Sequence, residues 1–176
     1  MARSSRNAVV FWPVVAGFLV SDFVTKWWAV RALSPVHTRH EVIGDWLTFT
    51  LLYNPGAAFG LHVGEWSRWI FTALTVGAAF ILVRMYRETE DGDTLKVTSL
   101  GMILGGAFGN LIDRLRSGQG VVDFIDVGIG EHRWPTFNIA DIGVSCGAVL
   151  LAWILWREDR AAALAASAST DSTSAR

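Results

Sequence analysis

Residues 134–156, with the sequence WPTFNIADIGVSCGAVLLAWILW, form a run of 23 residues that contains a single charged side chain, Asp141. About 20 mostly apolar residues are enough for a helix to cross a bilayer. Three further stretches of similar character precede this run, at residues 8–30, 66–86 and 94–115. We therefore predict an all-α polytopic membrane protein with four transmembrane helices.

The composition of the whole chain supports this prediction. Of the 176 residues, 52% are hydrophobic and 18% are charged, with a mean hydropathy of +0.37, whereas a soluble domain carries about 25% charged residues. The 15 Lys and Arg residues are balanced by 16 Asp and Glu residues, so no polybasic surface is available for binding nucleic acid. The single cysteine, Cys146, excludes an intrachain disulfide framework and a CxxC motif.

Two segments lie outside the predicted spans. Residues 31–65 form a long connection, and the sequence DWLTFTLLY at 45–53 is rich in the Thr and aromatic residues that favour β-strands. We expect this connection to form a small β-rich segment on the extracytoplasmic surface. Residues 161–176 are rich in Ala, Ser and Thr and lack aromatic residues, so we expect a disordered tail after a single membrane-embedded domain at 1–160.

Four spans place both termini on one side of the membrane, and basic residues indicate which side that is. Eight lie on the side of the termini, namely Arg3, Arg6, Arg84, Arg87, Lys96, Arg157, Arg160 and Arg176. Six lie on the opposite side, namely Arg31, Arg39, Arg68, Arg114, Arg116 and Arg133. Because cytoplasmic loops are enriched in basic residues, this bias favours cytoplasmic termini.

Carboxylates inside the spans need a partner or a function, because each costs about 2.5 to 3.5 kcal/mol to insert. Asp22 and Lys26 are four residues apart on the first span, which predicts a structural ion pair on one helix face. Asn110 and Asp113 are three residues apart near the outer end of the third span. This second pair fits a structural cap and the wall of a site equally well.

Asn138 and Asp141 repeat the three-residue spacing near the start of the fourth span, where Pro135 suits a first helical turn. At about 1.5 Å per residue, Asp141 lies roughly 9 Å inside a helix that starts at Pro135. The helix dipole fades after the first turn. The depth therefore favours a functional carboxylate over a helix cap.

A third group of carboxylates lies between these spans, in the glycine-flanked sequence GVVDFIDV at 120–127. If this segment is extended, Asp123 and Asp126 project from opposite faces, so only one of them can face a given site. Periodicity alone does not choose between the two.

Two carboxylates that converge at a membrane surface suggest aspartyl hydrolysis, because a close pair shares one proton and can act as base and acid. The sequence contains no HExxH, GxSxG or P-loop motif. Its histidines, His37, His40, His62 and His132, are scattered over outer loops, so no metal is predicted. The alternatives are a non-enzymatic proton or ion carrier that uses intramembrane carboxylates and a Mg²⁺-dependent enzyme acting on lipid headgroups.

Five ordered motifs give the chain a family resemblance. They are SDFVTK at 21–26, YNPGAAFG at 53–60, GGAFGNLIDR at 105–114, VVDFIDV at 121–127 and FNIAD at 137–141. With these motifs the chain resembles the lipoprotein signal peptidases, the bacterial type II signal peptidases. The resemblance implies an aspartic endopeptidase of the cytoplasmic membrane, without a cofactor, that cleaves prolipoproteins just before a diacylglyceryl-modified cysteine.

The resemblance also implies roles for individual residues. The catalytic dyad falls on Asp123 and Asp141, so that Asp126 is excluded. The substrate-contacting or dyad-orienting residues would be Asn54, Asn110, Arg114 and Asn138, with Asp113 as support and Asp22 and Lys26 as a structural pair. We further expect a monomer in contact with membrane lipid, with its active site near the outer face.

Overall fold

The computed structural model describes residues 5–55 and 64–174. Its helices are α1 (Ser5–Ala32), α2 (Ser67–Glu88), α3 (Thr94–Arg116) and α4 (Ile139–Ser174), with a short 3-10 turn at Gly64–Trp66. The strands are β1 (Arg39–Ile43), β2 (Leu47–Asn54), β3 (Val121–Ile129) and β4 (His132–Arg133). All four helices are long and apolar enough to cross a membrane, which confirms the predicted fold class.

Helix α3 is the centre of the bundle and packs against the three other helices. Its glycines allow this close approach: a Cβ atom at Gly106 would collide with the carbonyl oxygen of Ala140 in α4. A Cβ atom at Gly109 would collide with the carboxylate of Asp22 in α1. Small residues therefore serve helix packing here, as they commonly do in membranes.

The four strands form one antiparallel sheet in the order β1-β2-β3-β4. Leu51, Val122 and Phe124 of the sheet pack against Ala29 and Leu33 at the end of α1. This apolar contact holds the sheet on the end of the bundle where α1 and α3 finish and α4 begins, which we call the site end. The β-rich run predicted at 45–53 corresponds to β2 and the turn before it.

The structure differs from the sequence predictions at both ends of the fourth helix. Residues 134–137 are not helical, because their backbone pairs with β3: the Trp134 N–H donates to Val127 and the Phe137 N–H donates to Ile125. At the other end, α4 continues to Ser174 where a disordered tail is predicted. Alanine has the highest helix propensity, and extending an existing helix requires no new nucleation.

Candidate active site

The candidate residues meet at the site end, where α1, α3, α4 and the first half of β3 come together. Lys26 of α1 contacts three of them. Its Nζ lies 2.7 Å from Asp22 and 2.9 Å from Asp113, and it donates to Asn110 Oδ1 at 2.9 Å. Lys26 and Asp22 are only 5% and 1% exposed, so the predicted ion pair is present as part of a larger buried cluster.

The start of α4 is built by a reciprocal cap. Asn138 Oδ1 accepts a hydrogen bond from the Asp141 N–H at 3.0 Å, and Asp141 Oδ2 accepts one from the Asn138 N–H at 3.1 Å. This is the geometry of a capping box. Asp141 therefore lies in the first turn of α4, and the predicted depth of 9 Å is wrong because the helix begins at Ile139 and not at Pro135.

The side chain of Asn138 also reaches Asp123. Its Nδ2 donates to Asp123 Oδ1 at 2.7 Å, and Asn54 Nδ2 donates to the other carboxylate oxygen at 3.1 Å. Asn54 reaches this position because β2 and β3 are neighbours, with Leu52 opposite Asp123. Both oxygens of Asp123 thus accept from neutral amides.

Asp141 is engaged in the same way. Its Oδ1 accepts from Asn110 Nδ2 at 2.8 Å, while Oδ2 accepts from the backbone of Asn138. Asn138 therefore contacts both Asp123 and Asp141 and fixes one relative to the other. The structure brings these two carboxylates, on separate elements, into one hydrogen-bonded unit.

The electrostatic environment of Asp123 is unusual for a carboxylate. Burial, followed by the negative charge of Asp141, raises its pKa from 3.8 to about 7, although Asn54, Asn138 and Lys26 act in the opposite direction. A carboxyl group with this pKa exchanges its proton near neutral pH, as a catalytic acid or base requires.

Asp113 and Arg114 complete the predicted set. Asp113 Oδ2 accepts from the Val122 N–H at 3.3 Å, which links α3 to the start of β3. The charges of Asp141, Asp123 and Asp113 all act on the Arg114 guanidinium, and its Nε is buried without a hydrogen-bond acceptor among the described residues. The site therefore contains a cation with unused donor capacity beside the two carboxylates.

Sequence reasoning missed a second buried network, built around Asp126. Arg133 Nε donates to its Oδ1 at 2.6 Å, while Thr48 and Thr50 donate to Oδ2 at 3.0 and 3.1 Å. Burial alone would raise the pKa of Asp126, but these hydrogen bonds lower it below its ordinary value. The alternation of Thr48 and Thr50 on β2 was the available signal for a polar face there.

Comparisons with known proteins identify the class. A family profile described as signal peptidase (SPase) II matches residues 14–157. A lipoprotein signal peptidase of Hydrogenovibrio crunogenus is 41% identical over 155 residues, which covers 86% of this chain and 87% of that protein. One from Burkholderia mallei is 37% identical over 165 residues, covering 92% and 97%. The fold and these relatives define a polytopic membrane protease that cleaves signal peptides.

Solved structures agree with this class. Two bacterial membrane enzymes, determined by the in meso method, superpose with TM-scores of 0.73 and 0.70 at 29% and 31% identity. They cover 83% and 81% of this chain, and 87% and 89% of their own chains. The chain belongs to the signal peptidase II family. The alternative of a non-enzymatic ion carrier is not favoured.

Proposed function

We propose that the chain is an aspartic endopeptidase that cleaves lipoprotein precursors just before a diacylglyceryl-modified cysteine, with Asp123 and Asp141 as its catalytic dyad. The observation that carries the proposal is the contact of Asn138 with both carboxylates. Such a pair can hold one proton between two acidic groups, which is the requirement for aspartyl hydrolysis.

The two carboxylates have different roles in this proposal. Asp141 lies in the first turn of α4, where the helix dipole favours negative charge, and it is the ionised base that takes a proton from the attacking water. Asp123, with its pKa raised to about 7, carries the shared proton and donates a hydrogen bond to the scissile carbonyl. After water adds to the carbonyl carbon, collapse of the tetrahedral intermediate breaks the C–N bond, and the amine leaves with a proton from the dyad.

The substrate would be held by the remaining predicted residues. No described residue accepts a hydrogen bond from Arg114 Nε, and the guanidinium lies within the field of the dyad, so it suits a peptide carbonyl. Asn54 begins the sequence NPGAAF at 54–59, which can supply turn amides to an extended peptide; residues 56–63 lie outside the described residues. A signal peptide and a diacylglyceryl group both partition into lipid, so a site at the end of the spans meets its substrate within the membrane.

The same proposal includes an orientation in the bacterial cytoplasmic membrane. The site end lies opposite the start of α1, where Asn7 contacts the α2–α3 loop, and the bias of basic residues favours cytoplasmic termini. The dyad would then lie near the outer face, where a translocated precursor presents its lipidated junction. We expect a monomer, because every predicted site residue comes from one chain.

Cleavage of matched precursors tests the proposed reaction. Purified protein is incubated with a diacylglyceryl-modified precursor and with the same precursor lacking the lipid, and the products are identified by mass spectrometry. We expect only the lipidated precursor to be cut, immediately before the modified cysteine, with or without EDTA. Equal cleavage of both precursors would remove the lipid requirement, and loss of activity in EDTA would favour a metal-dependent enzyme.

Cysteine labelling tests the orientation. In a Cys146→Ala background, Glu131→Cys places a thiol in the exposed β3–β4 turn, and Asp91→Cys places one in the exposed α2–α3 loop. In intact cells we expect a membrane-impermeant reagent to label Glu131→Cys and to leave Asp91→Cys unlabelled until the cells are opened. The reverse pattern would contradict the proposed orientation.

A further inference from the structure

The buried Lys26 is linked to both carboxylates of the proposed dyad through a single chain of side-chain amides. We propose that Lys26 is a positioning residue for the reaction, acting by fixing which end of the Asn110 amide faces Asp141. This inference rests on the proposed function, since it takes Asp123 and Asp141 as the reacting pair. It goes beyond a structural ion pair between Lys26 and Asp22.

The chemistry of the contacts determines the orientation of Asn110. Its Oδ1 accepts from Lys26 Nζ at 2.9 Å and from Asn138 Nδ2 at 3.1 Å. An ammonium group has three donors and no acceptor, so the atom that faces Lys26 must be the amide oxygen. The NH₂ group is thereby directed at Asp141 Oδ1, 2.8 Å away.

Asn138 links the orientation of the Asn110 amide to Asp123. Its Nδ2 donates to Asn110 Oδ1 and to Asp123 Oδ1, while its own Oδ1 accepts from the Asp141 N–H. A reversed Asn110 would direct its NH₂ at the NH₂ of Asn138 and its carbonyl at Asp141. Asp141 Oδ1 therefore receives its side-chain donor only while the Asn110 carbonyl is held by Lys26. The other oxygen of each dyad carboxylate has a donor that does not depend on Asn110, namely the Asn138 N–H for Asp141 and Asn54 Nδ2 for Asp123.

The buried position strengthens this dependence. Lys26, Asn110 and Asn138 are 5%, 8% and 0% exposed, so bulk water is a poor substitute for any of these hydrogen bonds. A reversed amide would leave a carbonyl facing an ionised carboxylate in a medium of low dielectric constant, where such a contact is costly.

The charge of Lys26, like the orientation of the Asn110 amide, stabilises the ionised form of the dyad. Lys26 faces Asp22 on its own helix and Asp113 on α3. The charged groups around the dyad are Asp123 on β3, Asp141 on α4 and Arg114 on α3. The positive charge of Lys26 lowers the pKa of Asp123. Without this charge the pair would hold its protons to higher pH.

The pH dependence of cleavage separates a positioning role from a merely structural one. Steady-state cleavage of a diacylglyceryl-modified precursor, which gives kcat and KM, is measured from pH 5 to 9 for Lys26→Met and for the matched control Lys96→Met. Lys96 also forms an ion pair, with Glu158 at 2.8 Å, but it lies in the first turn of α3, at the other end of that helix from Asn110. We expect Lys26→Met to lower kcat at least tenfold with little change in KM, and to move the profile up by about one pH unit. Lys96→Met should leave kcat and the profile unchanged.

A double mutant separates the effect of the Lys26 charge from the effect of its hydrogen bond to Asn110. It also serves as the test variant if the single mutant Lys26→Met does not accumulate. Lys26→Met with Asp22→Asn keeps the net charge of the cluster but removes the donor to Asn110. We expect its pH profile to return close to that of the wild type while kcat stays at least tenfold low. Wild-type kcat in the folded double mutant, or a Lys26→Met enzyme with an unmoved profile, would overturn the inference.

The proposed dyad is tested separately in the same assay. Asp123→Asn must be inactive, and wild-type turnover by that variant would refute the dyad itself. If Asp123→Asn is inactive and the profile of Lys26→Met is unmoved, the positioning role alone is refuted.

Discussion

Two carboxylates on the same strand, three residues apart, have opposite electrostatic environments. Asp123 and Asp126 of β3 are 3% and 4% exposed, so burial penalises the charged form of both. The pKa of Asp123 is nevertheless raised to about 7, while that of Asp126 is lowered below its usual value. Burial therefore does not decide which of the two is suited to exchange a proton.

The difference comes from the partners on the two faces of the strand. Asp123 accepts from the neutral amides of Asn54 and Asn138 and lies in the field of another negative charge. Asp126 accepts from a guanidinium, Arg133, and from two hydroxyl groups. Hydrogen bonds to a charged group are roughly twice as strong as neutral ones. One face of β3 thus holds a carboxyl group with a pKa near neutrality and the other a carboxylate held in its ionised form.

The largest effect should come from neutralising Asp123. Asp123→Asn preserves size but removes the group that carries the shared proton in the proposed mechanism, so we expect single-turnover cleavage to fall by about 10³-fold or more. The double mutant with Asp141→Asn should be hardly slower, because residues that act as one unit are not additive. The measurement is single-turnover cleavage of a lipidated precursor by protein that elutes as a single folded species.

Asp126→Asn is the matched control for this prediction, since it makes the same chemical change on the same strand. It should retain substantial activity. If Asp126→Asn were inactive while Asp123→Asn still cut, the two faces of β3 would have the opposite roles.

The contrast between the two faces shows which features of the protein the sequence can predict. The four spans and the i, i+4 pair of Asp22 and Lys26 depend on local composition and spacing, and the structure contains them. The start of α4 was misplaced because residues 134–137 pair with β3, a contact with no local signal. The roles of Asp123 and Asp141 came from the family resemblance and remain predictions.

The alternation of Thr48 and Thr50 indicates a polar face, but the partners within the Asp126 network could not be predicted, for the same reason. Arg133 and Thr48 are 85 residues apart in sequence but form a hydrogen bond of 3.1 Å. No periodicity in either strand reveals this pairing, which depends on the order and register of the sheet. The sequence indicates which residues are expensive to bury, whereas their partners are set by tertiary structure.

A change in stability should be the main effect on the Asp126 face. Asp126→Asn removes the charged acceptor of the hydrogen bonds from Arg133, Thr48 and Thr50 and leaves Asp45 as the ionised partner of Arg133, so we expect the free energy of unfolding to fall by about 1 to 3 kcal/mol. Because the pKa of Asp126 is lower in the folded than in the unfolded state, its contribution is present above about pH 4 and is lost as the pH falls below that value. Thermal unfolding in detergent at pH 7, for the wild type, Asp126→Asn and Asp123→Asn, measures the difference.

The two variants should therefore show opposite patterns. Asp123→Asn should be inactive but no less stable than the wild type at pH 7. Burial raises the pKa of Asp123, so this carboxyl group lowers the free energy of unfolding at pH 7, and the uncharged Asn removes that penalty. A strongly destabilised Asp123→Asn, or an Asp126→Asn as stable as the wild type, would show that the environments of the two carboxylates do not differ as the contacts indicate.

A smaller effect should follow from removing one neutral donor on the Asp123 face. Asn54 Nδ2 stabilises the ionised carboxylate of Asp123, so Asn54→Ala should raise the pKa of Asp123 further. In the proposed mechanism, activity falls with rising pH as Asp123 loses its proton, near pH 7. That limb should move upward by about half to one pH unit, the equivalent of one neutral hydrogen bond. A pH–rate profile of Asn54→Ala checks the direction, and a downward shift would contradict the role of the amide as a donor to the ionised form.

The smallest effect should come from the far end of α4. The helix begins at the capping box of Asn138 and Asp141 and extends to Ser174, but a cap acts only on the first turn of its helix. The side chains of residues 161–167 are exposed, so we expect removal of residues 161–176 to leave both faces of β3 unchanged. We expect turnover within about twofold of the wild type, measured on the truncated protein in the same lipid and detergent. A large loss of turnover in a truncated protein that is folded and inserted would show that the length of α4 affects the position of Asp141. The local capping box would then not be enough to fix that carboxylate.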